Sequence, residues 1–158
     1  MLRQVCASCF IMAFVCGARA QDDEPLFSRV SDKTLEKIFD KEKLEWVRKE
    51  STDKEGKKLV LYWLTFPSGL KATVRNGGTA LTILSLGFRT KDREDISLER
   101  MNEWNQRYGF WGAGFVGKDG SAYISTAHDM IAGTNQKIIG GWLKQYSVTL
   151  TEFERFTR

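Results

Sequence analysis

Apolar positions recur every three or four residues in three stretches of this chain and every second residue, or in unbroken runs, through much of the remainder. Leu35, Ile38 and Phe39 predict a short amphipathic helix ending near Lys41. Ser31 is placed to cap it, Asp32 to favour its first turn and Val30 to staple against Leu35. Leu98, Met101, Trp104 and Tyr108 mark one face of a second helix, capped by Asp95 or Ser97 and ended by Gly109 at C′. Ile138, Ile139, Trp142, Leu143, Tyr146, Leu150, Phe153 and Phe156 carry the same step through a long C-terminal helix. Gly140-Gly141 within it costs about 1 kcal/mol per glycine relative to alanine, which predicts a tight crossing over the sheet or a break.

Between the helices the period is that of strands. Residues 59–66, LVLYWLTF, form an apolar run expected to be covered on both faces, by helices of the same chain or by a second subunit. Leu70, Ala72 and Val74 alternate with Lys71, Thr73 and Arg75 in a half-exposed strand. Asn76-Gly77 predicts a type I′ turn into residues 79–88. The segment from Leu44, LEWVRKES, is either an additional first strand or the tail of the first helix, and Gly56 is the pivot of the charged turn after it. Asp119-Gly120 closes a second hairpin, with SAYISTA as its return strand. The pattern is α+β, an antiparallel sheet with helices in the order α-β-β-β-α-β-β-α.

The most distinctive stretch is 96–116, where the second helix runs into a glycine-spaced strand, 110–116. Phe110, Gly112, Gly114 and Val116 fall on one face of that strand, and Trp111, Ala113 and Phe115 on the other. A face nearly bare of side chains requires a close neighbour, whether helix, partner or ligand. Asn102 and Asn105 lie together on the preceding helix, where asparagine earns its place by bonding nearby backbone. Asn102, Trp104, Asn105, Trp111, Gly112 and Gly114 are therefore the candidate partner-binding residues. Glu103 and Arg107 form an i,i+4 pair on the exposed side.

Composition changes the picture mainly at the N-terminus. Arg3 precedes an apolar run of twelve residues, 5–16, which ends at the small-residue site Ala18-Arg19-Ala20. This is the pattern of a secretory signal peptide cleaved after Ala20, and the run is well short of the about 20 residues of a spanning helix. Residues 21–30 are expected as a flexible leader and 31–158 as a single domain, periplasmic or secreted and not inserted in a membrane. Cys6, Cys9 and Cys16 all leave with the signal peptide, and with them any disulfide, thiolate or cysteine-metal chemistry. Loss of Arg3 and Arg19 takes Lys+Arg from 24 to 22 against 20 Asp+Glu, a net charge of +2. The remaining cations are interspersed with acids, as in RTKDRED, which argues against nucleic acid as a partner.

Candidate chemistry is sparse. Gly112-Ala113-Gly114-Phe115-Val116-Gly117 matches G-x-G-x-x-G, but a helix precedes it and a hairpin follows, the reverse of the strand and helix that a dinucleotide pyrophosphate needs. His128, the only histidine, is followed by Asp129 in a predicted loop, without a serine in a nucleophile elbow or further ligands nearby in sequence. No cofactor, metal or catalytic group is expected. A small-ligand or enzymatic site at His128 and Asp129 is the alternative.

Met101-Asn102-Glu103-Trp104-Asn105, the glycine-spaced strand, the Asp119-Gly120 turn, a glycine-containing loop and a helix ending Phe153-Glu154-Arg155-Phe156 resemble the YbjN family of bacterial proteins. That family is labelled as sensory transduction regulators. The resemblance is in motif over 97–156 and in architecture over 31–88. It implies a fold like that of the type III secretion chaperones, which dimerise and bind extended partner segments, and it carries no established enzymatic activity. The expectation is a non-catalytic exported binding or chaperone-like domain, homodimeric, that recognises a protein or peptide through its sheet or its glycine-bare strand.

Overall fold

The period-two segments fold into one antiparallel sheet, and the period-3.6 segments into helices packed on a single side of it. The computed structural model describes residues 24–52, 55–56, 58–89 and 95–158. The expected signal peptide lies outside the described residues. The elements are α1 (Asp32–Lys41), β1 (Glu45–Thr52), β2 (Lys58–Thr65), β3 (Lys71–Asn76), β4 (Ala80–Ser85), α2 (Leu98–Tyr108), β5 (Ala113–Val116), β6 (Ala122–Asp129) and α3 (Gln136–Thr157). The sheet order is β1-β2-β3-β4-β6-β5, so β1 and β5 are its edges. This is the expected α+β order, with the segment after Leu44 realised as the additional strand β1.

Local signals set the helix starts. Ser31 accepts from Thr34 N–H at 3.1 Å, Ser97 from Arg100 N–H at 3.1 Å and Asn135 from Ile138 N–H at 2.8 Å, each satisfying an otherwise orphaned first-turn donor. α3 runs unbroken through Gly140-Gly141. A Cβ on Gly140 would meet the Glu42 carboxylate at 2.5 Å, so that glycine allows the close crossing of the end of α1. Gly109 ends α2 as its C-cap with an ordinary right-handed conformation, not the left-handed one expected of a C′ glycine.

The core lies between the helices and one face of the sheet. Leu35, Ile38 and Phe39 of α1, Met101 and Trp104 of α2, and Ile139, Leu143, Tyr146, Leu150 and Phe153 of α3 cover Tyr62, Leu64, Val74, Leu81, Ile83 and Ile124. Of the two covers expected for the second face of β2, a helix of the same chain is not found among the described residues, and Trp63 is 43% exposed there. Leu98, 72% exposed, likewise drops out of the apolar face expected for α2.

One hairpin and one strand depart from expectation. Between β3 and β4 only Gly78 has a positive φ, so the turn is not type I′. The Asn76 side chain is engaged elsewhere: its amide donates to Val30 O at 3.2 Å and Asp32 Oδ1 at 2.8 Å, and its oxygen accepts from Gly78 N–H at 2.9 Å. It thereby fastens the start of α1 to the hairpin. The glycine-spaced strand is shorter than 110–116, because Trp111 N–H returns to Tyr108 O at 2.9 Å and holds Phe110 and Trp111 in a turn. From Glu24 onward the segment expected as a flexible leader is tied down. Phe27 exchanges backbone bonds with Thr134 at 2.7 and 2.9 Å, and Glu24 accepts from Lys137 N–H at 3.1 Å.

Candidate functional site

The α2–β5 corner brings most of the predicted residues together. Asn105, one turn from the end of α2, turns its carboxamide onto the outer edge of β5: its amide donates to Gly114 O at 2.9 Å and its oxygen accepts from Gly114 N–H at 2.8 Å. The side chain pairs with Gly114 as a neighbouring strand would, and it occupies backbone groups that an added strand would need. Trp104 is buried and donates its indole N–H to Gly112 O at 3.1 Å. A Cβ on Gly114 would overlap Met101 Sδ and lie 2.9 Å from Trp104 Cδ1 and 3.1 Å from Phe153 Cε2. The bare face of the strand is thus filled by α2 and α3. Gly112 is shaped by Ile124, whose Cδ1 would lie 2.9 Å from an added Cβ. Asn102 is exposed beside the corner, and Trp111 stands half out of it.

Next to Trp111, the ends of α2 and α3 enclose a cleft of about 430 Å³, floored by Trp104, Tyr108 and Phe156 and walled by Val148. On its rim Arg155 pairs with Glu152 at 2.7 Å, so the charges there balance. Phe110 packs on Trp111 at 4.6 Å and projects 77% exposed beside the cleft.

His128 and Asp129 are not in a loop. They complete β6, paired with Leu81 and Ala80 of β4, because β4 supplies ladder partners that no local pattern reveals. Successive strand residues face opposite sides of a sheet. His128 therefore lies on the helix side, its Nε2 3.0 Å from Thr134 Oγ1 and its ring near Trp142, while Asp129 accepts from Ile131 N–H at 2.9 Å. The carboxylate does not orient the imidazole. Among the described residues no group of His, Cys, Asp or Glu side chains is gathered as a metal-holding cluster.

Burial holds the His128 imidazole below its ordinary value of 6.5, with Asp129 opposing the shift. The folded state thus binds fewer protons here than the unfolded one, and acid favours unfolding. The contribution of His128 is complete above the unfolded pKa and is lost as pH falls through about 6.5 and then through the lower folded pKa. Thermal unfolding of wild type and His128→Gln checks this. The advantage of wild type is expected to shrink on acidification from neutral pH, and a constant difference would refute the assignment.

The sheet is an expected recognition surface, but none of the residues on its open face is among the predicted site residues. Cross-strand register aligns Val47, Trp63, Thr73, Leu84, Ser125 and Ala113 in one row across all six strands. Antiparallel partners share a face, so this row points away from the helices. Leu61, Leu86 and Phe115 lie on the same side, and Phe115 stacks on Tyr123 at 5.5 Å. The signal was present in the apolar residues of both parities in 59–66. Local pattern could not say which parity the helices would leave uncovered.

These features define a class: an α+β domain whose helices cover one face of an antiparallel sheet and whose exposed apolar surfaces include the other sheet face and a helix-end cleft. The family model YbjN, described as "Putative bacterial sensory transduction regulator", matches residues 31–156. The chain belongs to that family. No curated protein matches it.

Proposed function

We propose that this protein is a non-catalytic exported regulatory domain that recognises a protein or peptide through the open face of its sheet. One observation carries the reading: Trp63 and Val47, 43% and 58% exposed, stand on a sheet face over which no helix lies among the described residues. Large apolar side chains grouped on a surface mark interaction sites, and aromatic residues supply much of the contact energy. The other route, strand addition along the glycine-bare strand, is obstructed where Asn105 holds both backbone groups of Gly114. The description of the family as regulatory supports a role without catalysis. Export rests on the leader sequence, with the mature protein periplasmic or secreted after cleavage behind Ala20. No helix among the described residues is long and apolar enough to cross a membrane.

The proposal includes a homodimer, formed at the α2–α3 cleft. Phe110 is a knob beside a socket, and a two-fold contact needs the same patch to supply both. The balanced Glu152–Arg155 rim sets no repulsion against its own copy.

A photo-crosslinking residue in place of Val47 is expected to capture a partner in cells, to lose it when Trp63→Ala is added, and to capture none when moved to Lys37 on α1. Equal capture from both positions, or none from Val47, would refute the binding face. Sedimentation equilibrium of wild type and Phe110→Glu tests the dimer: wild type dimeric and the variant monomeric is the expected result, and a wild-type monomer sinks that part.

A further inference from the structure

We propose that the occupant of the open face is an extended acidic segment of another protein, with a large apolar side chain seated against Trp63 between two carboxylates. This names the partner class for the face proposed above and rests on that reading. The register supplies the argument. Trp63 lies in the row Val47–Trp63–Thr73; on one side of it is the row Lys49–Leu61–Arg75 and on the other the row Glu45–Thr65–Lys71. Val47, Lys49, Trp63, Thr65, Lys71 and Leu86 line a shallow cleft of about 400 Å³ there, in which Glu45 is the single acid. Lys49, Lys71 and Arg75 are exposed, and among the described residues none is held in an ion pair. Lys49 instead places its ammonium 4.0 Å over the Trp63 ring. The face is therefore an apolar centre with Lys49 and Arg75 on one side and, on the other, Lys71 at the far end of its row from Glu45, none of the three cations being ion-paired among the described residues.

That arrangement selects its occupant. Neighbouring rows are two residues apart, so Arg75 and Lys71 are about 13 Å apart along β3, the length of four extended residues. An extended segment lying along the strands presents every second residue to the sheet at the same repeat. Its matching pattern is acid-x-apolar-x-acid, the apolar residue over Trp63 and the acids near Arg75 or Lys49 and near Lys71. A second copy of this chain fits poorly, because two-fold stacking of the faces would confront these cations with themselves. The balanced cleft at α2–α3 carries no such conflict.

The probe is a fluorescein-labelled peptide of two Glu-Ser-Leu-Ser-Glu blocks, titrated with the mature chain and followed by anisotropy. Saturable binding is expected, weakened by roughly tenfold or more in Trp63→Ala and in Lys71→Glu/Arg75→Glu. These positions are exposed, and unchanged thermal unfolding would show that the variants fold. Binding is expected to weaken as salt rises from about 50 to 500 mM. Lysine in place of glutamate in the peptide is expected to abolish it. Comparable affinity for the lysine peptide, or full affinity in Trp63→Ala, would overturn the proposal. So would binding of phosphatidylglycerol vesicles through the same residues without binding of the peptide, which makes the face a lipid surface. A partner trapped from Val47 whose crosslinked segment is neutral or basic would overturn the acidic class while leaving the binding face standing; no trapped partner removes the face itself.

Discussion

In a Trp104→Ala variant the free energy of unfolding is expected to fall by about 4 kcal/mol, the range for emptying the site of a fully buried large aromatic. Trp104 is 1% exposed and is the largest of the fully buried side chains. It lies edge-on to Phe153 with ring centroids 4.9 Å apart, tilted against Tyr108 at 4.8 Å and against Phe156 at 5.5 Å. Its removal opens the corner where α2, α3 and β5 meet and leaves Gly112 O without its 3.1 Å donor. An unpaired carbonyl adds about 1 kcal/mol or more if the site stays dry. Urea unfolding checks the figure, with an unchanged dependence on denaturant showing that the loss is one of stability. Trp104→Phe separates the two contributions, because it keeps most of the ring packing and removes the donor. A loss under about 2 kcal/mol for the alanine variant would mean that the corner collapses around the gap, against the tight packing described.

Gly114→Val tests the same corner from the opposite direction. The added branched side chain has no room between Met101, Trp104 and Phe153. Overpacking of this kind costs about 1–3 kcal/mol and more where the neighbours are rigid, and the upper end is expected because Trp104 is hydrogen-bonded in place. Shifting the strand would also strain the paired bonds from Asn105. Gly114→Ala should follow in the same direction with a smaller loss. Since the nearest obstruction is the flexible Met101 side chain, Met101→Ala should restore part of that loss, a coupling that a double-mutant cycle measures. Additive losses would place the clash elsewhere. If Gly114→Val were neutral in stability, the bare strand would be open, and the partner-binding role expected of Gly112 and Gly114 would regain its basis.

Of the residues expected at the site, Trp104, Asn105, Gly112 and Gly114 are consumed in holding the corner together, Trp111 remains half exposed beside the cleft, and Asn102 faces solvent. The inference that asparagine on α2 bonds nearby backbone is realised at Asn105, and its signal was local. Trp63 and its cations had no comparable signal. Lys49 comes from β1, between Glu45 and Glu50, whereas Lys71 and Arg75 come from β3, a strand that carries no acid. Only cross-strand register collects them on one face of β2.

What the chain determined by itself was everything set by neighbours within a few residues: the caps at Ser31, Ser97 and Asn135, the period-3.6 stripe of α3, the turn at Gly120 and the α+β order. Each depends on side-chain spacing and on backbone donors that a nearby residue satisfies. The tertiary structure decided which side of the sheet the helices cover, because Tyr62 and Trp63 are both apolar and alternate faces in a strand that could be packed from either side. It also decided that Asn76 ties the hairpin to α1 instead of forming a type I′ turn, and that β6 extends through His128 and Asp129. Those outcomes depend on partners more than forty residues away, Val30 and Asp32 for Asn76 and the start of β4 for β6. Local pattern records how much apolar surface a segment must bury; the folded arrangement of distant segments settles where it is buried and which part of it is left for another molecule.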